Sequence, residues 1–247
     1  MIKVEGLTKS FGRQKVLREL SLDVATGTIT IVIGRSGGGK SVFLKHLIGL
    51  LRPDAGRIMV DGVDISQLRG RDLDAIRRTY GVVFQGGALF DSMSCFDNVA
   101  FPLREKVRTP PDELTKRVEA ALAQVGLEGV GPKYPAEISG GMRKRVAIAR
   151  ALVTEPETVF FDEPTTGLDP VLVNTIHHLI LDLHRRFRFT AVVVSHEIPE
   201  IFEIADTVAM LHEGCIIEVG PPSVIQSSTN PVVQRFIKGE AENLEER

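Results

Sequence analysis

Short runs of Val, Ile and Phe recur along the chain, each the length of a buried strand, and stretches with helical spacing lie between them. Residues 28–33, 58–60, 81–84, 158–161 and 191–194 read as strands, with 208–211 and 216–219 as two more near the end. Strands alternating with helices predict an α/β fold. The run Ile31-Val32-Ile33 stops at Gly34 and a glycine-rich turn, after which Val42, Phe43, Leu44, Leu47, Ile48 and Leu51 predict a helix buried on much of its circumference. The order is strand, loop, helix.

The middle of the chain behaves differently. From 97 to 138 the spacing is helical, broken by Pro102, Pro110 and Pro111, with no convincing strand, which predicts a helical insert. Its clearest helix starts at Thr109, has Pro110 in the first turn and Asp112 in capping-box position, carries Leu114, Val118, Leu122 and Val125 on one face, and ends near Gly126. A second helix opens at Ser139-Gly140-Gly141 and runs through Val146, Ala149 and Leu152. Later, Ile201, Ile204 and Ala205 predict helix, and a last amphipathic turn follows Asn230-Pro231. The polar residues 240–247 are expected to fray.

Composition narrows the function classes. Thirty Lys and Arg against 32 Asp and Glu leave a net charge of −2, which gives no electrostatic case for a protein that coats nucleic acid. No apolar run approaches the ~20 residues of a membrane-spanning helix and the start lacks a signal-peptide pattern, so a soluble, cytosolic chain is expected. Cys95 and Cys215 fit no disulfide or zinc spacing and read as buried small hydrophobes. His177, His178 and His184 share a helix, but no carboxylate or cysteine completes a metal set, and His46 and His212 read as packing or solvated residues. Arg143-Lys144-Arg145 reads as a solvated helix start.

The glycine-rich turn carries chemistry. Gly34, Arg35, Ser36, Gly37, Gly38, Gly39, Lys40 and Ser41 satisfy the pattern of a glycine, four residues, glycine, Lys and Ser. Glycines let successive backbone amides point inward around phosphate oxygens, the helix behind adds its positive end, Lys40 neutralises terminal phosphates and the Ser41 hydroxyl can ligate Mg²⁺. The alternative is a flexible glycine turn; the strand before it and the helix after it weigh against that. The strand at 158–161 delivers Asp162 and Glu163 at its end. Beside a phosphate loop, Asp162 would hold Mg²⁺ through water and Glu163 would polarise the attacking water, whereas alone the pair is equally well a cap or turn.

Ser139-Gly140-Gly141 is a second potential anion site, yet one nucleotide does not need two separate cradles. It is either a plain N-cap or serves the nucleotide of a second copy. With Ile138-Ser139-Gly140-Gly141-Met142 as a signature sequence, Phe84-Gln85 as a Q-loop, Gly167-Leu168-Asp169-Pro170 as a D-loop and Val194-Ser195-His196 as a switch histidine, the chain resembles the nucleotide-binding subunits of ABC transporters over essentially residues 1–220. The resemblance implies a P-loop NTPase fold with an antiparallel β part, a helical subdomain of about 92–155 inserted in the domain 1–220, and a C-terminal extension of 221–247. It also implies ATP and Mg²⁺ as ligands and a head-to-tail dimer, in which Ser139, Gly140 and Gly141 of one copy meet the γ-phosphate held at Lys40 of the other. Glu163 would be the general base, His196 would contact the γ-phosphate, Gln85 would sense Mg²⁺ and touch a membrane subunit, and Asp169 would cross between the sites. Phe11 sits where the family stacks an aromatic on adenine, though a lone aromatic is also an ordinary packing residue.

Met142 in place of the usual Gln, Gly86-Gly87-Ala88-Leu89-Phe90-Asp91 after the Q-loop, Ser195-His196-Glu197-Ile198-Pro199-Glu200 and the ending Asn230-Pro231-Val232-Val233-Gln234-Arg235-Phe236 are similar to the Mla/Mce-associated phospholipid transporter ATPases. That branch implies an MlaE-like transmembrane permease and an Mce-domain lipid-binding protein as partners, no nucleic acid, and a peripheral position on the cytoplasmic face of the inner membrane. Val42 after Ser41 and Ile138 for Leu depart from the family pattern without removing ligand or apolar character. The alternatives are a general small-solute importer ATPase and a soluble ABC protein without a permease. The latter usually fuses two nucleotide domains or inserts a long coiled coil. A simple P-loop kinase leaves Ser139-Gly140-Gly141 and His196 unexplained.

Overall fold

A computed structural model describes residues 1–107 and 109–240 as two compact units, one of Met1–Gln67 joined by the chain from Val194 onward, the other Leu68–Val193. The first unit holds β1 (Ile2–Phe11), β2 (Gln14–Val24), β3 (Ile29–Ile33), α1 (Lys40–Leu47), β4 (Ala55–Val60) and β5 (Val63–Asp64). The second holds α2 (Gly70–Arg78), β6 (Tyr80–Val83), α3 (Cys95–Pro102), a π-helical turn at Leu103–Val107, α4 (Pro111–Gln124), α5 (Gly140–Leu152), β7 (Thr158–Asp162), α6 (Pro170–Phe187) and β8 (Thr190–Ser195), whose last two residues belong to the first unit. The first unit closes with β9 (Thr207–His212), β10 (Cys215–Gly220), α7 (Pro222–Gln226) and α8 (Pro231–Ile237).

In the first unit an antiparallel sheet runs in the order β2-β1-β4-β5, and β3 pairs in parallel with β9, which pairs antiparallel with β10. All five residues of β3 are buried, as a parallel strand covered on both faces requires. In the second unit the strands lie in the order β8-β7-β6; Tyr80 to Val83 pair in parallel with Thr158 to Phe161, and Tyr80 meets Phe160 edge to face at 5.0 Å. The helices α3, α4 and α5 pack on one another, and Val99, Val118, Leu122, Val146 and Ile148 on them are all buried.

Every strand expected from the pattern is present within a few residues, and among the described residues 97–138 form no strand. Four expectations change. The helix expected from Thr109 begins at Pro111, because a residue followed by proline is pushed out of the helical region: Pro110 is extended (φ −59°, ψ 149°) and becomes the N-cap. Asp112 makes no capping bond there. The segment around Ile201 is a 3₁₀ turn, Glu200–Ile204. Cys215 is only half-buried, its thiol donating to the Arg18 carbonyl (3.1 Å), whereas Cys95 is buried and its thiol pKa is raised by that burial. The fraying expected of 240–247 falls, beyond Glu240, outside the described residues. Among the described residues no helix is long and apolar enough to cross a membrane.

Candidate functional site

In the first unit, β3 runs out at Ile33 and the chain turns through Gly34 to Gly39 into α1. Gly34 lies against the neighbouring strand: a Cβ there would sit 2.4 Å from the Leu211 carbonyl oxygen. Gly39 is the N-cap of α1 in the left-handed region (φ 98°), and a Cβ on it would press Val16 and Leu17 of β2 at 3.2–3.3 Å. The loop is therefore seated between β9 and β2, with Arg35, Ser36 and Gly37 exposed at its crest. Lys40 is 3% exposed, and its ammonium donates to the Gly34 and Arg35 carbonyls at 2.9 Å each, folding back over its own loop. Ser41 is half-buried in the first turn of α1. His46, further along α1, is buried and donates Nδ1–H to the Val42 carbonyl (2.7 Å); burial lowers its pKa.

Gly34→Ala is a direct test of this seating. The methyl group has backbone, not a flexible side chain, in its way, so the variant is expected to lose about 2 kcal/mol of stability and to bind nucleotide poorly, as read by a thermal melt and a titration. A variant as stable as the parent would show that the close approach at Leu211 is not needed.

Also in this unit, Phe11 ends β1 with 47% of its surface exposed, and the Lys9 ammonium lies over the ring, 5.6 Å from its centroid. His196 follows β8 directly and is half-buried.

In the second unit, β7 is buried throughout and delivers Asp162 and Glu163, 7% and 9% exposed. Glu163 adopts φ +47°, a conformation costly for a residue with a side chain and tolerated where surrounding bonds over-determine it. Those bonds converge on one oxygen: Glu163 Oε2 accepts from Gln85 Nε2 (3.0 Å) and from the Thr166 hydroxyl (3.1 Å). Gln85 is exposed just after β6, and its carbonyl accepts from the Lys144 ammonium. Arg150 donates to the Gly87 and Ala88 carbonyls (2.6 and 2.7 Å), and burial lowers its pKa. Two cations of α5 thus grip the backbone of the loop that carries Gln85.

The same α5 begins at Gly140, with Ser139 exposed as its N-cap and accepting from the Met142 amide (3.2 Å). Asp169 caps α6 in the same manner, accepting from Val171 and Leu172 at 3.1 Å each. Within this chain both residues serve as helix caps.

The geometry brings Gln85 and Glu163 together and sets Lys40 on the loop of Gly34 and Arg35. Sequence reasoning missed Thr166, which follows Glu163 by three residues and whose hydroxyl is aimed at it, and it placed Lys144 on a solvated surface. That placement is corrected: Lys144 is 7% exposed because its chain turns inward to the Gln85 carbonyl, 59 residues away.

A family model described as ABC transporter matches residues 17–166. The chain belongs to the ABC transporter family. Similar proteins include a probable ribonucleotide transport ATP-binding protein of Mycobacterium leprae, 44% identical over 96% of this chain and 69% of that one. The intermembrane phospholipid transport system ATP-binding protein MlaF of Haemophilus influenzae is 40% identical over 98% of this chain and 92% of that protein. The chain spans about two thirds of the length of the mycobacterial relatives. Among solved structures, a dimeric ATP-binding cassette in a post-hydrolysis state with ADP and Pi superimposes with a TM-score of 0.82 at 30% identity, covering 90% of this chain and 99% of that one. As a member of this ABC family the chain binds ATP and is an ATPase, and its α/β fold is that of a P-loop NTPase cassette.

Proposed function

We propose that the chain is the ATP-hydrolysing subunit of a phospholipid transporter, working as a head-to-tail pair of copies around two ATP and driving a membrane permease. The observation that carries the phospholipid reading is the likeness to MlaF, which extends over nearly the whole of both chains. The ribonucleotide reading borrowed from the mycobacterial relatives has higher identity behind it but leaves about a third of those proteins unmatched.

In this reading Gly34, Arg35, Ser36, Gly37, Gly38, Gly39 and Lys40 cradle the phosphates and Phe11 stacks on the adenine. Glu163 takes the proton of the attacking water, oriented by Gln85 and Thr166, and His196 contacts the γ-phosphate. Ser139, Gly140 and Gly141 are the anion site for the nucleotide of the second copy, and Asp169 reaches across between copies. Among the described residues no three His, Cys, Asp or Glu side chains gather as a metal site, so a cation would depend on phosphate oxygens and water together with a few protein oxygens. Ser41, Asp162 and Gln85, each an oxygen donor of that kind, are the residues the family resemblance assigns to Mg²⁺, which would neutralise charge on the phosphates. The helical segment 92–155 is the part of the domain 1–220 that would dock an MlaE-like transmembrane permease, in a complex that also holds an Mce-domain lipid-binding protein; this chain itself would lie peripherally on the cytoplasmic face of the inner membrane, and residues 221–247 are a C-terminal extension.

Purification of the tagged chain from its own membranes tests the assignment. A polytopic permease and an Mce-domain protein are expected to come with it, and the complex in phospholipid vesicles is expected to hydrolyse ATP faster than the chain alone. A soluble solute-binding protein in their place, or stimulation by ribonucleotides and not by phospholipid, would overturn it.

A further inference from the structure

Asp54 lies outside every motif named above, yet three consecutive residues of β1 converge on it. Its amide donates to the Thr8 carbonyl (2.9 Å), its Oδ1 accepts from the Lys9 ammonium (2.8 Å) and its Oδ2 accepts from the Ser10 amide (2.6 Å). Charge-assisted bonds of this kind are short and directional. They hold the Asp54 carboxyl below the usual carboxylate pKa, the Lys9 bond first and the Ser10 amide second. The next residue of β1 is Phe11.

The grip on Lys9 matters because the same ammonium lies over the Phe11 ring. Free lysine side chains sample many rotamers; this one is 17% exposed and anchored to a carboxylate, which fixes where its charge sits above the ring. A cation on one face draws π density from the other, and with 47% of the residue exposed Phe11 leaves room for a second stacking partner.

The connectivity gives the grip a direction. Gly39 abuts Val16 and Leu17 of β2, and Leu17 is paired with Lys9, Lys15 with Ser10 and Gln14 with Phe11. From Gly39 the chain runs through α1, leaves it by the Leu50 and Leu51 amides bonding back to the Lys45 carbonyl (2.8 and 3.1 Å), and reaches Asp54. The hairpin bearing Phe11 is therefore touched on one strand by the phosphate loop and held on the other by the carboxylate at the end of the segment that this loop begins.

We infer that Asp54 and Lys9 are positioning residues for base recognition: they fix the Phe11 ring at the end of β1, on the hairpin that abuts the phosphate loop, so that the site takes a purine nucleotide in preference to a bare polyphosphate. The inference rests on the reading of Phe11 as the base-stacking residue.

The test is calorimetric titration of the full chain with ATP and with inorganic tripolyphosphate, which has the phosphates and no base. Asp54→Ala is expected to weaken ATP binding about tenfold and to leave tripolyphosphate within about twofold. Asp54→Glu is expected to restore most of the loss, and Lys9→Met, which keeps the apolar stem, to lose about threefold for ATP only. If the alanine variant does not fold, Asp54→Asn keeps an acceptor for the Ser10 amide and is read the same way at about threefold. Unchanged ATP affinity, or ATP and tripolyphosphate weakening in parallel, would overturn the inference. A Phe11→Ala chain that binds ATP normally would instead overturn the stacking reading beneath it, so the two failures are distinct.

Discussion

Glu163→Gln is expected to lower steady-state ATP hydrolysis by about 10²–10⁴ while ATP affinity stays within about threefold. The substitution is nearly isosteric, and the interaction it must preserve is known: one oxygen at Oε2 accepting from both Gln85 and Thr166. An amide oxygen can accept both bonds, so the side chain keeps its place at the end of β7 and the strained backbone at φ +47° keeps its support. What the amide cannot do is take up a proton at neutral pH. Phosphate release measures the loss, and titration with ATP measures what is retained. Stalled at the bound state, the variant with ATP and Mg²⁺ is also expected to show twice the monomer mass by light scattering. Near-normal turnover would remove Glu163 from the base role; a variant that stays single with ATP bound would remove the shared site.

What could be seen in the residues beforehand follows from how local each signal is. The phosphate loop is eight contiguous residues, and its conformation comes from its own glycines, so 34–41 were legible before any partner was known. The strands β3, β7 and β8 were legible because burial on both faces writes an unbroken apolar run. By contrast β1 and β2 went unrecognised although they are the longest strands: shifts of register between Val4 and Leu7, Leu7 and Lys9, and Lys9 and Ser10 turn side chains to the opposite face and break the alternation of period two. The helix α2 was missed because it is short and charged and buries only Leu73. Lys144 and Asp54 were illegible for a further reason. Each is an ordinary polar residue whose meaning lies in a partner 59 or 45 residues away, and a sequence pattern carries no information about a carbonyl or an ammonium brought up by the fold.

Lys40→Ala is expected to raise the Kd for ATP by at least about a hundredfold, and for tripolyphosphate by a similar factor, because the loss falls on the phosphates and not on the base. A buried ammonium at 3% exposure must be balanced, and here the Gly34 and Arg35 carbonyls supply part of that balance. Those carbonyls are neutral, so exchanging them for phosphate oxygens converts weak ion–dipole bonds into ion pairs at a site already dehydrated, where charge interactions are least screened. Lys40→Met separates the charge from the packing: it retains the buried stem that fills the loop, so a melting temperature close to the parent's together with the same loss of affinity assigns the effect to the ammonium. Lys40→Arg is not expected to rescue binding, since the longer side chain and bulkier planar guanidinium must enter a space where Lys40 is already only 3% exposed. Titration decides the matter, and ATP bound as tightly by Lys40→Met as by the parent would mean that this loop does not hold the terminal phosphates, whatever its spacing.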